Sequence, residues 1–203
     1  MSFHISHLSL FVFVLLLSNL SHADWRLNPQ KSQLSFVATK DAHVADNHYF
    51  TDIQGLVKSD GVAELIINTN SVETSITKRN EYLKDILFLT NAYPIATVDL
   101  SLRRSYVTPK PVGTSEKIEI TAFVNLVGKS LQQKAKLNVV HLNNQEVQVS
   151  TIEPILLDAE DYGMLPAINE LREIAGLKSL TVKVPVSFNL VFEPIEAIAG
   201  SGP

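Results

Sequence analysis

Residues 180–192 place an apolar side chain at every second position: Leu180, Val182, Val184, Val186, Phe188, Leu190 and Phe192. Only an extended strand puts positions two apart on one face, so this segment belongs to a sheet that is apolar on one side and wet on the other. Its opposite face reads Thr181, Lys183, Pro185, Ser187, Asn189 and Val191. Pro185 has no N–H for a ladder, which predicts a bulge or a nitrogen facing no partner strand. The same alternation recurs at 32–39 (Leu34, Phe36, Ala38), 95–102 (Ala96, Val98, Leu100, Leu102), 117–126 (Ile118, Ile120, Ala122, Val124, Leu126) and 131–139 (Leu131, Ala135, Leu137, Val139). Residues 49–58, with Ile53, Gly55 and Val57 on one side, are less regular, and 62–69 is apolar on both faces, with Ala63, Leu65 and Ile67 sharing one. Residues 146–151 form a shorter strand. The expected fold class is all-β: roughly eight antiparallel strands, a number that suits a closed barrel with a small-ligand interior.

Two segments change period. Residues 77–90 carry Tyr82, Leu83, Ile86, Leu87 and Leu89 at helical spacing, and 165–176 carry Ile168, Leu171, Ile174 and Ala175, with Pro166 in the first turn and Gly176 at the end. One or two short helices therefore interrupt the strands. Residues 106–115, with Pro109, Pro111 and Gly113, read as a loop.

Residues 1–23 contain no Lys, Arg, Asp or Glu, and an apolar run from Leu8 to Leu17 precedes Ser21-His22-Ala23. That pattern predicts a signal peptide cleaved before Asp24, because the run is too short to span a bilayer. Residues 24–203 then form one domain, with a frayed tail at 200–203. The chain carries 17 basic and 21 acidic residues, a net charge of −4 with no basic run, which excludes a nucleic-acid partner. Cysteine is absent, which removes disulfides, thiol catalysis, thiolate metal sites and a lipidated cysteine anchor.

No Gly-x-Ser-x-Gly and no phosphate-cradling glycine loop is present, so no catalytic residue is assigned and no enzyme activity is expected. Asp41, His43, Asp46 and His48 fall close together, but their spacing matches no catalytic zinc motif and they read as solvated loop residues, so no metal is expected. The apolar faces offer lumen candidates: Leu34, Phe36, Phe50, Ile53, Leu65, Ile67, Val98, Leu100, Ile120, Leu137, Val184, Val186, Phe188 and Leu190. Phe123 falls on the opposite parity and should point outward. Periodicity alone favours a dry core over a lumen, because apolar stripes usually pack against one another.

A succession in residues 71–94 bears on that choice: Ser71-Val72-Glu73-Thr74, then Arg79-Asn80-Glu81-Tyr82-Leu83, Phe88 and Ala92-Tyr93-Pro94. It resembles the YceI-like family, which carries Ser-x-x-Thr, Arg-Asp-x-His-Leu, Phe-Phe and Tyr-Pro in this order. Weaker likenesses span most of the remaining chain: Trp25-Arg26-Leu27 with Ser32–Phe36 as an opening strand, Gly55, the hairpin Asn125–Ser130, and Asp161-Tyr162-Gly163-Met164. The acid and the histidine of the second block are here Asn80 and Tyr82, the Phe-Phe pair is Leu87-Phe88, and the 165–176 helix looks inserted. The resemblance implies an eight-stranded, lipocalin-like barrel in the periplasm. It would hold a long-chain apolar lipid, a polyisoprenoid or isoprenoid quinone, as its only bound group. Arg79 is the candidate for a lipid head group, with structural pairing of the helix to the sheet as the rival role. Transient membrane contact and a dimer are both compatible with this reading. A rival function is an interaction protein whose packed barrel docks a membrane redox or envelope partner.

Overall fold

The computed structural model describes residues 24–195; the leader read in residues 1–23 and the tail at 200–203 lie outside them. Eight antiparallel strands follow one another as an up-and-down meander. β1 is Trp25–Leu27 and Gln33–Lys40, β2 is Val44–Phe50 and Ile53–Val57, and β3 is Val62–Asn68 and Val72–Glu73. β4 is Ile95–Ser101, β5 Ser115–Leu126 and β6 Lys129–His141. β7 is Val147–Thr151 and Ile155–Asp158, and β8 is Lys183–Pro194. The first strand closes the ring by pairing on both sides, Trp25 with Val57 of β2 and with Pro194 of β8. Closure satisfies the edges that an open sheet would leave bare.

Local chemistry sets the breaks. Between the halves of β1, Asn28 caps a short 3-10 turn, Pro29–Lys31, its Oδ1 accepting from the Gln30 and Lys31 amides at 3.1 and 3.3 Å. Pro185 behaves as its missing N–H requires. Phe36 pairs with Val186 and Lys40 bridges Leu180, so four steps along β1 face six along the segment that leads into β8, a bulge around the proline. β5 and β6 join through Val127 and Gly128, both at positive φ (48° and 76°), as a two-residue hairpin demands. A Cβ on Gly128 would sit 2.7 Å from the Tyr93 ring, so glycine is doubly required there.

One reading needs correction, and one strand was not read. Residues 41–48 are not a loop: after a turn at Asp41 and Ala42 the chain enters β2 at Val44, where Asn47 faces Val37 and His48 faces Phe36. This half of β2 meets only the two residues of β3 beyond it, so it stays largely exposed and never shows an apolar alternation. The second half of β7, Ile155–Asp158, is also a strand, paired with Lys183–Val186 of β8 and too short to be read from its pattern.

α1, Thr77–Tyr82, runs into a π-helical turn, Leu83–Leu87. α2 is Leu165–Ile174, with Gly176 just beyond it at a φ of +64°. Two apolar clusters result, one at each end of the barrel. Trp25, Leu27, Ile53 and Phe192 belong to one, and Phe36, Leu83, Phe88, Met164 and Ile168 to the other.

Candidate functional site

The interior is not filled. A cavity of about 300 Å³ runs between the clusters, walled by inward side chains from all eight strands. Leu34, Phe36, Phe50, Leu65, Ile67, Val98, Leu100, Ile120, Leu137, Val184, Val186, Phe188 and Leu190 all lie on its wall. Ile53 does not; it is 3% exposed, in the cluster with Leu27, Leu65 and Ile67. Ile118, Ile120 and Val124 point inward yet remain only half-buried, which a dry, close-packed core would not allow. Phe123, of opposite parity, is 50% exposed.

The helices close one end. Leu87 and Phe88 after α1, and Met164 and Ile168 of the α2 region, complete the wall there. Helical spacing marked these segments in the sequence, but nothing in it showed that they face the lumen. Phe36, Phe50 and Phe88 pack as an aromatic trio with centroids 5.6–6.3 Å apart, and the His48 ring stands edge-on to Phe36 at 5.3 Å. Gln133 donates to the Tyr162 hydroxyl at 3.3 Å, and burial pushes that phenol up from its ordinary pKa.

Arg79, the head-group candidate, does not line the cavity. Its guanidinium donates to Asp46 Oδ2 at 2.8 Å and to the Thr74 carbonyl at 2.6 Å, pinning α1 to β2. Lys40 meets the same Asp46 oxygen at 2.6 Å, and Lys40 first, then Arg79, holds that carboxyl below its ordinary pKa. The structural pairing is therefore the role the geometry supports. Asn80 explains how the sequence dispenses with the acid at this point. Its Oδ1 accepts from the Thr74 amide and hydroxyl at 2.9 and 2.6 Å, as a carboxylate would, while its Nδ2 donates to Glu73 at 3.1 Å. Asp41 is likewise occupied, accepting from the Lys178 and Ser179 amides, and among the described residues no group of three metal-ligating side chains comes together.

The other end is closed by a loop. β5 pairs with β6 over twelve positions but with β4 over only three, Thr97–Asp99 against Phe123–Asn125. Residues 115–122 of β5 thus lack a β4 neighbour, and the segment 102–114 lies at the gap. Val107 from that segment is 5% exposed within the core cluster, and Tyr106 and Thr108 face the cavity. Two polar wall groups, Glu116 and His141, meet here; Lys110 is ion-paired with Glu116, and His141 lies beside both. His141 is 7% exposed and its Nε2 has no hydrogen-bond partner. Burial pushes its pKa down, Lys110 adding to that and Glu116 opposing it, so the imidazole is held toward the neutral form. The sequence reading missed this cluster; the signal was the inward parity of His141 and Glu116, each continuing an apolar face.

Residues 25–192 match the family model for the YceI-like domain. No curated protein sequence matches the chain. A polyisoprenoid-binding domain from Saccharophagus degradans, implicated in plant cell wall breakdown, superposes with a TM-score of 0.81 at 33% identity over 84% of this chain and 98% of its own. BcnA of Burkholderia cenocepacia shares the fold, with a TM-score of 0.64 at 19% identity over 81% of this chain and 98% of its own.

Proposed function

The chain belongs to the YceI-like family, and on that premise we propose that it is a periplasmic carrier that holds one long apolar lipid, a polyisoprenoid or isoprenoid quinone, without chemically altering it. The observation that carries this reading is the apolar cavity of about 300 Å³ through the barrel. The polyisoprenoid binding of the relative from Saccharophagus degradans supports the class of cargo. The leader read in residues 1–23 supports export.

Burial suffices as the binding force. At about 25 cal/mol per Å² of apolar surface withdrawn from water, a prenyl tail burying roughly 400 Å² gains about 10 kcal/mol before losses of chain freedom. On β6 the wall runs from Gln133 to His141, which is about 27 Å along the strand and about 20 Å along a tilted barrel axis. That favours a linear guest over a compact one. Loading and release would follow transient contact with a membrane, the source of such a lipid.

Solvent extraction of freshly purified protein followed by mass spectrometry tests the proposal. One lipid per chain is expected from the native protein and less from Leu137→Trp, whose larger side chain would narrow the lumen. A native protein that repeatedly yields no stoichiometric lipid would sink the carrier reading. The rival interaction-protein reading calls for a packed interior, and the cavity weighs against it.

A further inference from the structure

We propose that His141 is the polar contact for the cargo: an uncharged oxygen at the end of the lipid, hydroxyl or carbonyl, hydrogen-bonds to Nε2 of His141, and the tail runs from there toward Phe88. This inference rests on the carrier reading and adds the orientation and head-group chemistry of the ligand.

Four observations converge on it. First, His141 lines the cavity, is 7% exposed, and has a buried Nε2 without a partner. A buried ring nitrogen left unbonded costs free energy that a ligand oxygen would recover. Second, Gln133, Glu116 and Thr108 on the same wall are already committed, to Tyr162, to Lys110 and to the Arg104 carbonyl. Third, His141 sits at the end where the wall is spanned by loop instead of by a strand ladder, the natural side for a head group to remain. Fourth, the charges argue for a neutral guest. Glu116 and Lys110, which face His141, neutralise each other, so an anionic head would find no spare positive charge from that pair to compensate it. A neutral imidazole donates or accepts according to its tautomer, so it serves a hydroxyl or a carbonyl equally.

His48 is the internal control. Its Nδ1 is also buried and unpartnered, but it lies off the cavity, behind Phe36 and close to the Arg79 cation. A guest in the lumen does not reach it.

The single tryptophan, Trp25, lies on the cavity wall, so its fluorescence can report binding. Delipidated full-length protein should be titrated with geranylgeraniol, a geranylgeranyl-tailed benzoquinone and the hydrocarbon squalene. Wild type should bind at least one oxygen-bearing ligand about tenfold tighter than squalene, the scale of one recovered hydrogen bond. The preferred arm identifies hydroxyl or carbonyl as the group recognised. H141F should bind all three alike, with H141L serving the same purpose should phenylalanine overfill the site, and H141Q should keep the preference. A wild type that binds all three equally, or a preference that survives in both apolar variants, overturns the assignment of His141 and leaves the carrier reading standing. A wild type that binds none of them overturns both.

Discussion

The two ends of this barrel are closed by opposite means. At the helix end, α1, its π turn and α2 bring Leu83, Phe88, Met164 and Ile168 onto the aromatic trio, and Arg79 ties the helix to β2. At the loop end, a segment with one inserted valine lies across a gap that β4 and β5 do not bridge. Each end keeps a buried histidine with an unpartnered ring nitrogen, yet only His141 faces the cavity. The contrast separates two tasks. Helices pinned by an ion pair hold one end, while the other sets polar groups beside the lumen, where the proposed head-group contact lies.

Substitutions can break or sharpen that division. The largest effect belongs to Phe88→Ala, which opens a void in the aromatic trio and should cost about 3–5 kcal/mol in urea unfolding. A loss under about 1 kcal/mol would show that the helix end is not the stabilising one. Arg79→Ala leaves the half-buried Asp46 with Lys40 alone and should cost about 1–2 kcal/mol after allowance for solvent screening, with lipid affinity unchanged. A large drop in affinity at constant stability would return Arg79 to the head-group role. Asn80→Asp exchanges a donor to Glu73 for a second carboxylate beside it, and should lower the urea midpoint at neutral pH. That loss should shrink in acid as Glu73 becomes protonated; a pH-independent loss would rule out charge repulsion as the cause.

The smallest effect is a slope. Burial lowers the pKa of His48, with Arg79 adding to it and Asp46 opposing, and burial likewise lowers that of His141. The unfolded chain therefore binds protons that the fold resists. The histidine contribution is present above pH 6.5, the ordinary value, and is lost as pH falls through the lowered folded values. Lys40 and Arg79 face His48, and Lys110 and Glu116 face His141. His48→Phe should flatten the fall of melting temperature below pH 6.5 more than H141F does, since His48 is more deeply buried and stands beside two cations, Lys40 and Arg79, that share one carboxylate, Asp46. Parallel curves for H48F and wild type would refute this.

The strands that carry a wet and a dry face were legible because one rule, parity, governs each of their residues. Val184, Val186, Phe188 and Leu190 stand on the wall for that reason alone. Parity says little where the residues turned inward are mostly polar, as in the first half of β2, or where a strand has only four residues, as in Ile155–Asp158. Nor does it tell a lumen from a core, because a Leu at position 137 reads the same whether its neighbour is a side chain or a guest. The loop-end cluster was hidden for a further reason. Glu116 and His141 belong to different strands, and only the register that sets Glu116 opposite Val139 brings them together.

The seam between Trp25 and Pro194 has a temporal consequence. β8 is the last of the eight described strands along the chain and β1 the first. Closing a loop of that span is entropically slow, and no shorter nascent chain contains the pairing. A chain lacking residues 183–194 cannot seal its wall, so the apolar stripes of the other strands stay open to whatever surrounds them until that segment pairs.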